Sequence, residues 1–180
     1  MTIEQNGNPY SDCVKKEIKI LDIGGSHNPK SDATHIIDFD ATIRSNQNYK
    51  FNYFNLNDLM QYQMPYNNDT FDLIYCDNVI EHLEIPPEIL FKEIYRIMNH
   101  KTNFVFACPN SIWYYNRLVY LLGIIPQDYH AEHIKHYSHE YIYRAFINSG
   151  FKVKFITNIW HLLPIIKMFQ GNIRYTVRKA

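Results

Sequence analysis

Residues 18–26 read Ile-Lys-Ile-Leu-Asp-Ile-Gly-Gly-Ser (IKILDIGGS), an apolar run that stops on an acid and a pair of glycines. Glu17 to Leu21 is a short strand candidate rich in Ile, and at Gly24-Gly25 the missing side chains let another group approach the backbone closely. Working outward, Thr34–Phe39 is a second β-type run, and Tyr49–Asn55 alternates aromatic and polar residues as a third. Phe71–Cys76 is a fourth run, apolar enough to be buried on both faces, and Asn103–Cys108 is a fifth, stopped by Pro109. Between them Val79–Leu83 and Pro87–Met98 predict helix, with Ile89, Leu90, Ile94 and Ile97 near helical spacing. Ser111–Gly123 predicts another, carrying Trp113, Leu118, Leu121 and Leu122. A third starts at Ser138 as N-cap and is ended by Gly150. Phe151–Thr157 and Ile173–Arg178 close the chain as two further strands.

Strands alternating with helices mean an α/β fold, a largely parallel sheet covered by helices on both faces. Seven strands are predicted, and the last two, joined without a convincing long helix, predict an antiparallel last strand. At 180 residues one domain suffices. The expected division is a flexible lead-in at 1–16 and one domain at 17–180.

Composition narrows the function classes. Lys+Arg and Asp+Glu balance at 18 each, which argues against a nucleic-acid partner, since phosphate backbones select a basic surplus. Cys13, Cys76 and Cys108 lack any CxxC spacing, which argues against a disulfide framework or a structural zinc site. Met1–Tyr10 has no apolar signal core, and Leu118–Pro126 and Ile159–Met168 are too short to span a bilayer. A cytoplasmic location without a membrane span is the expectation. Nothing in the sequence sets the oligomeric state.

In open α/β sheets a ligand sits outside the carboxyl ends of the strands, so unusual residues belong just after them. Asp22, Gly24, Gly25 and Ser26 follow the first strand. Asp38 and Asp40 end the second, where an acid can accept bonds from a diol. Asn55, Asn57 and Asp58 follow the third, and Cys76, Asp77 and Asn78 the fourth.

Four segments in this order carry a resemblance. IKILDIGGS (Ile18–Ser26) resembles the glycine loop of class I S-adenosylmethionine-dependent methyltransferases. FDLIYCDNVIEHL (Phe71–Leu83) is similar to the strand-four signature of the type 11/type 23 group. EIYRIMNHKTNFVFACPN (Glu93–Asn110) resembles the stretch that follows it, and HIKHYS (His133–Ser138) with NSGFKV (Asn148–Val153) have counterparts there. The resemblance covers about residues 17–178 and implies a Rossmann-like fold with S-adenosylmethionine as cofactor. It implies that Asp22 orients the glycine loop or faces the methionine amino group, and that Gly24, Gly25 and Ser26 lie along the methionine and ribose portion. Asp38 would hold the ribose hydroxyls, with Asp40 as the competing register. Asn55 and Leu56 would border the adenine, with Asn55 or Asp58 accepting from its amino group. Cys76, with Asp77 beside it, would line the methionine end, mainly through backbone. Two departures bear on loop geometry. Ser26 stands where the group has its second motif glycine, and His27–Thr34 is too short for the usual helix, so an Asn-Pro-Lys turn replaces it.

His130, His133, His136 and His139 recur every three residues. With no Cys or Asp at matching spacing, and Pro126 and Tyr129 signalling a loop, no metal site is expected. His133 or His136 overhanging the methyl donor as general base is the more economical reading, with His82 as a further candidate. Glu81 is expected to serve structure rather than catalysis, because it and His82 point about 100° apart on a helix and cannot form a cluster alone. The aromatic segment Trp113–Tyr129 is a candidate lid, or equally a packed crossover helix.

Three functions follow. The first is methyl transfer to a small-molecule or glycan acceptor by in-line displacement. The second, a nicotinamide-dependent oxidoreductase, would want GxGxxG opening a full helix and an acid about 20 residues later, which the short gap to Asp38 disfavours. The third is a non-catalytic binding or regulatory subunit that keeps the fold.

Overall fold

The computed structural model describes residues 17–40, 49–111, 114–124, 133–155 and 172–180. Seven strands form one sheet: β1 (Ile20–Ile23), β2 (His35–Asp38), β3 (Lys50–Tyr53), β4 (Phe71–Asp77), β5 (Met98–Pro109), β6 (Phe151–Phe155) and β7 (Asn172–Lys179). The spatial order is β3-β2-β1-β4-β5-β7-β6. β1 pairs parallel with both β2 and β4, β2 with β3, and β4 with β5, while β7 runs antiparallel to both β5 and β6. The mostly parallel sheet with an antiparallel last strand is therefore as the sequence predicted. The strand order reverses between β1 and β4, which opens a crevice at their carboxyl ends.

The helices are α1 (Pro87–Ile97), α2 (Tyr114–Leu121) and α3 (His139–Asn148). Pro87 starts α1, where a missing N–H costs nothing, and Leu90, Phe91, Ile94 and Ile97 on one face are fully buried. Each such burial stabilises by roughly 1.5–3 kcal/mol. Ser138 caps α3, its side chain accepting from the Tyr141 N–H at 3.2 Å, and Gly150 at φ +89° turns the chain into β6. α1 and α3 meet through Phe91 and Phe146, stacked 4.3 Å apart at 10°. Phe104 and Phe106 of β5 set their edges against both.

Three expectations are corrected. β5 begins at Met98, directly where α1 ends, not at Asn103; the polar stretch Asn99–Thr102 enters the sheet through an irregular register at Phe71/Leu73, and the Thr102 hydroxyl donates to the Phe71 carbonyl at 2.8 Å. Val79–Leu83 is not an α-helix but a single 3₁₀ turn at Ile80–His82. The Glu84 N–H is taken by the Asn57 side chain at 2.8 Å, and Pro86 and Pro87 disfavour a helix running into them. His133–His136 is irregular chain, in keeping with the loop signals before it, and His139 is the buried first residue of α3. The expected Ser111–Gly123 helix is shorter, at Tyr114–Leu121. Trp113, residues 125–129 at the end of the candidate lid and His130 lie outside the described residues, as does the lead-in at 1–16. Among the described residues, no helix is long and apolar enough to cross a membrane.

Candidate functional site

The site grows from the turn after β1. Gly24 takes φ +73°, and a Cβ there would come within 2.6 Å of Val79 Cγ2, so only glycine fits. A Cβ on Gly25 would collide with the Asp22 carboxylate packed beneath it. Asp22 is 3% exposed and accepts from the Lys30 N–H at 2.8 Å, closing the loop that stands in place of a helix. Burial pushes its pKa up to about 6, against the opposing Lys30 N–H and ammonium. Ser26 needs no left-handed backbone, because Gly24 takes that conformation for the loop; the departure from glycine leaves the turn unstrained.

Asp38, at the end of β2, is buried and accepts from the Ser26 N–H at 3.2 Å and the Asp40 N–H at 3.1 Å. Asp40 lies further out, its carboxylate 3.5 Å from His27 Nε2. After β3, Asn55 caps the 3₁₀ turn Leu56–Met60 by accepting from the Asn57 N–H at 3.1 Å. After β4, Asn78 takes φ +54°, a left-handed conformation that asparagine tolerates better than most residues.

These carboxyl ends enclose a groove of about 510 Å³, within the range of small-ligand pockets. Of the residues the sequence singled out for a cofactor, Gly24, Ser26, Asp38, Asp40, Asn55 and Leu56 line it. Five others do not: Asp22 and Gly25 lie under the loop, Asp58 faces solvent, and Asp77 pairs with Lys30 Nζ at 2.6 Å. Cys76, expected at the ligand, is wholly buried in the core, its thiol pushed well up by burial. Period-two alternation explains this, since Asp77 and not Cys76 points outward at the strand end.

The sequence reading missed four groove residues, His27, Phe39, Val79 and Leu83. Phe39 is 67% exposed on the groove wall, a large apolar face left open between two acids. Val79 forms the floor under Gly24.

His82 lines the groove, and its neighbour Glu81 borders a second, smaller cavity of about 10 Å³. Glu81, Asn110, Asn116, His133 and His136 line that cavity. The His82 and His133 rings meet edge to face, 4.8 Å between centroids. The segment carrying His133 and His136 is fastened there by the backbone, with Ile134 and Lys135 N–H groups donating to the Glu81 carbonyl at 3.0 and 3.1 Å. Lys135 Nζ donates to the Ile85 carbonyl at 2.8 Å, and the Ser111 hydroxyl to the Tyr137 carbonyl at 2.6 Å. Glu81 is 1% exposed, and neither of its carboxylate oxygens accepts a hydrogen bond among the described residues. Burial pushes its pKa up to about 7.

A family model for a methyltransferase domain matches residues 8–154. No curated protein matches the chain by sequence. In fold it resembles an S-adenosylmethionine-dependent methyltransferase from Thermotoga maritima, at a TM-score of 0.66 and 12% identity, over 93% of this chain and 84% of that one. A second, from Archaeoglobus fulgidus, gives 0.63 at 14% identity over 92% and 87%. A third, from Mesorhizobium loti, gives 0.60 at 14% identity over 90% and 91%.

Proposed function

This chain belongs to the class I S-adenosylmethionine-dependent methyltransferase family, and we propose that it catalyses methyl transfer to a small-molecule or glycan acceptor. The observation that carries the reading is the groove at the β1/β4 switch point, lined by both Asp38 and His82. We take residues 17–180 as the domain responsible.

The groove suits S-adenosylmethionine. Gly24 leaves the backbone bare where a ligand would lie, and no Cβ fits there. Asp38 uses two of its roughly four lone-pair sites on backbone N–H groups, leaving acceptors for a ribose diol. Asp40 is the competing register, paired with His27 instead. Asn55, Leu56 and Phe39 offer a polar edge and apolar faces for an adenine ring. Asp22 supports the loop from beneath rather than lining the groove.

Bound S-adenosylmethionine supplies a methyl group on a sulfonium. The chain's own task is to orient the acceptor, exclude water and take up a proton where the acceptor is a hydroxyl. The small cavity beside His82, about 10 Å³, has room only for a hydroxyl-sized group of such an acceptor, for which Glu81 and the Asn116 side-chain oxygen are hydrogen-bond acceptors without donors. We read His133 or His136, both lining the small cavity, as the imidazole that takes the proton, with His82 on the groove as a further candidate.

Incubation with methyl-labelled S-adenosylmethionine and a panel of hydroxylated and amine acceptors tests the reading. Label transfer that is lost in His136→Ala supports it. S-adenosylmethionine binding with no transfer to any acceptor would favour a non-catalytic subunit.

A further inference from the structure

We propose that Glu81, His82 and His133 form a binding site for a divalent transition-metal ion, set in the wall between the groove and the small cavity. One carboxylate oxygen and one nitrogen from each ring lie within 4.8 Å of one another. Donors around a tetrahedral ion at about 2.0–2.2 Å lie roughly 3.3–3.6 Å apart, so loading draws the three side chains together by about an ångström or slightly more.

The Glu81 carboxylate supplies the independent sign of a missing ligand. Both its oxygens are buried and accept no hydrogen bond among the described residues, although a buried carboxylate is normally paired or bound to a metal. The cavity it borders, about 10 Å³, admits one atom-sized occupant. The ligand set is also held in place beforehand. The two backbone bonds to the Glu81 carbonyl fix the strand of chain bearing His133 against the turn bearing Glu81 and His82.

One carboxylate with two imidazoles is the donor set of zinc hydrolases and of non-haem iron centres, and not the all-oxygen set of calcium or magnesium. Three protein ligands leave a position open for water or an oxygen-bearing ligand. With an ion bound, His82 and His133 act as ligands and His136 remains outside the cluster as the proton acceptor. Cation binding neither requires nor follows from methyl transfer, so the site stands apart from that reading.

The untagged chain, stripped with a chelator, is titrated with Co²⁺ by visible absorption and with Zn²⁺ by calorimetry. One equivalent is expected to bind, Zn²⁺ displacing the Co²⁺ bands. Changes in outer-shell partners alone cost about 10–100-fold in affinity, so Glu81→Gln and His133→Asn are each expected to cost at least that much. His100→Asn, at the exposed pair with Asp69, leaves affinity unchanged. His133→Asn alters an irregular segment and decides the matter alone if Glu81→Gln does not fold. Absence of saturable binding, or full affinity in His133→Asn, would overturn the site.

Discussion

The backbone N–H of Ser26 donates to the carboxylate of Asp38 at 3.2 Å, tying the loop after β1 to the end of β2. The bond holds the loop open over the groove while leaving the rest of the carboxylate facing it. Loop and acid therefore act as one unit, and a change in either is expected to disturb both.

Gly24→Ala tests the loop's backbone. A left-handed alanine costs roughly 1–2 kcal/mol, and the 2.6 Å approach to Val79 Cγ2 adds an overpacking cost of about 1–3 kcal/mol. Urea unfolding is expected to show the sum of the two. Val79→Ala in the same chain should return the steric part and not the conformational part. Wild-type stability in the single variant would contradict the geometry.

Asp22 gives a pH dependence with a defined sign. Its folded pKa of about 6 lies above its ordinary 3.8, so the stability it contributes is complete below 3.8 and lost as pH rises through about 6. Asp22→Asn is expected to melt above the wild type at pH 8, the difference closing as the pH falls toward 4. Asparagine still accepts from the Lys30 N–H, so S-adenosylmethionine affinity should fall less than about tenfold; a lost contact to the methionine ammonium would cost at least that. Thermal melts and calorimetry at both pH values check the two halves.

Removal of the proposed base is expected to slow turnover without weakening the cofactor. His136→Ala should lower kcat by about 10²–10⁴-fold, with S-adenosylmethionine Kd unchanged, in single-turnover and equilibrium measurements. Unchanged turnover in both His136→Ala and His133→Ala would remove the base from the account.

Phe146→Ala is expected to destabilise the domain by about 3–5 kcal/mol, because it deletes a ring stacked on Phe91 and edged by Phe104, Phe106 and Phe151. Chemical denaturation with an unchanged m-value would confirm a packing loss.

The sheet was legible because most of its strands are apolar, short and punctuated by Gly, Asp and Pro, and because the sequence between the last two strands carries no convincing long helical pattern, which signals an antiparallel return. The groove acids were legible for the same reason: a strand end in a parallel sheet is a fixed address. Side-chain direction at that address was harder. Cys76 and Asp77 differ by one step of a period-two pattern, and the reading put both at the ligand, whereas the strand buries Cys76 in the core and pairs Asp77 with Lys30. The Glu81–His82–His133 cluster could not be read from spacing at all. Two of its members share a turn too short for helical periodicity, and the third arrives from a segment whose position depends on backbone bonds to Glu81. Phe39 was overlooked because its exposure, not its type, marks it.

The most direct test of the central claim is calorimetric titration of the folded chain with S-adenosylmethionine, with NAD as control and Asp38→Ala alongside. The account predicts saturable one-to-one binding of S-adenosylmethionine, none of NAD, and loss of binding in Asp38→Ala with the fold retained. A folded wild-type chain that binds no S-adenosylmethionine, or an Asp38→Ala chain that binds it equally well, would contradict the assignment of the groove.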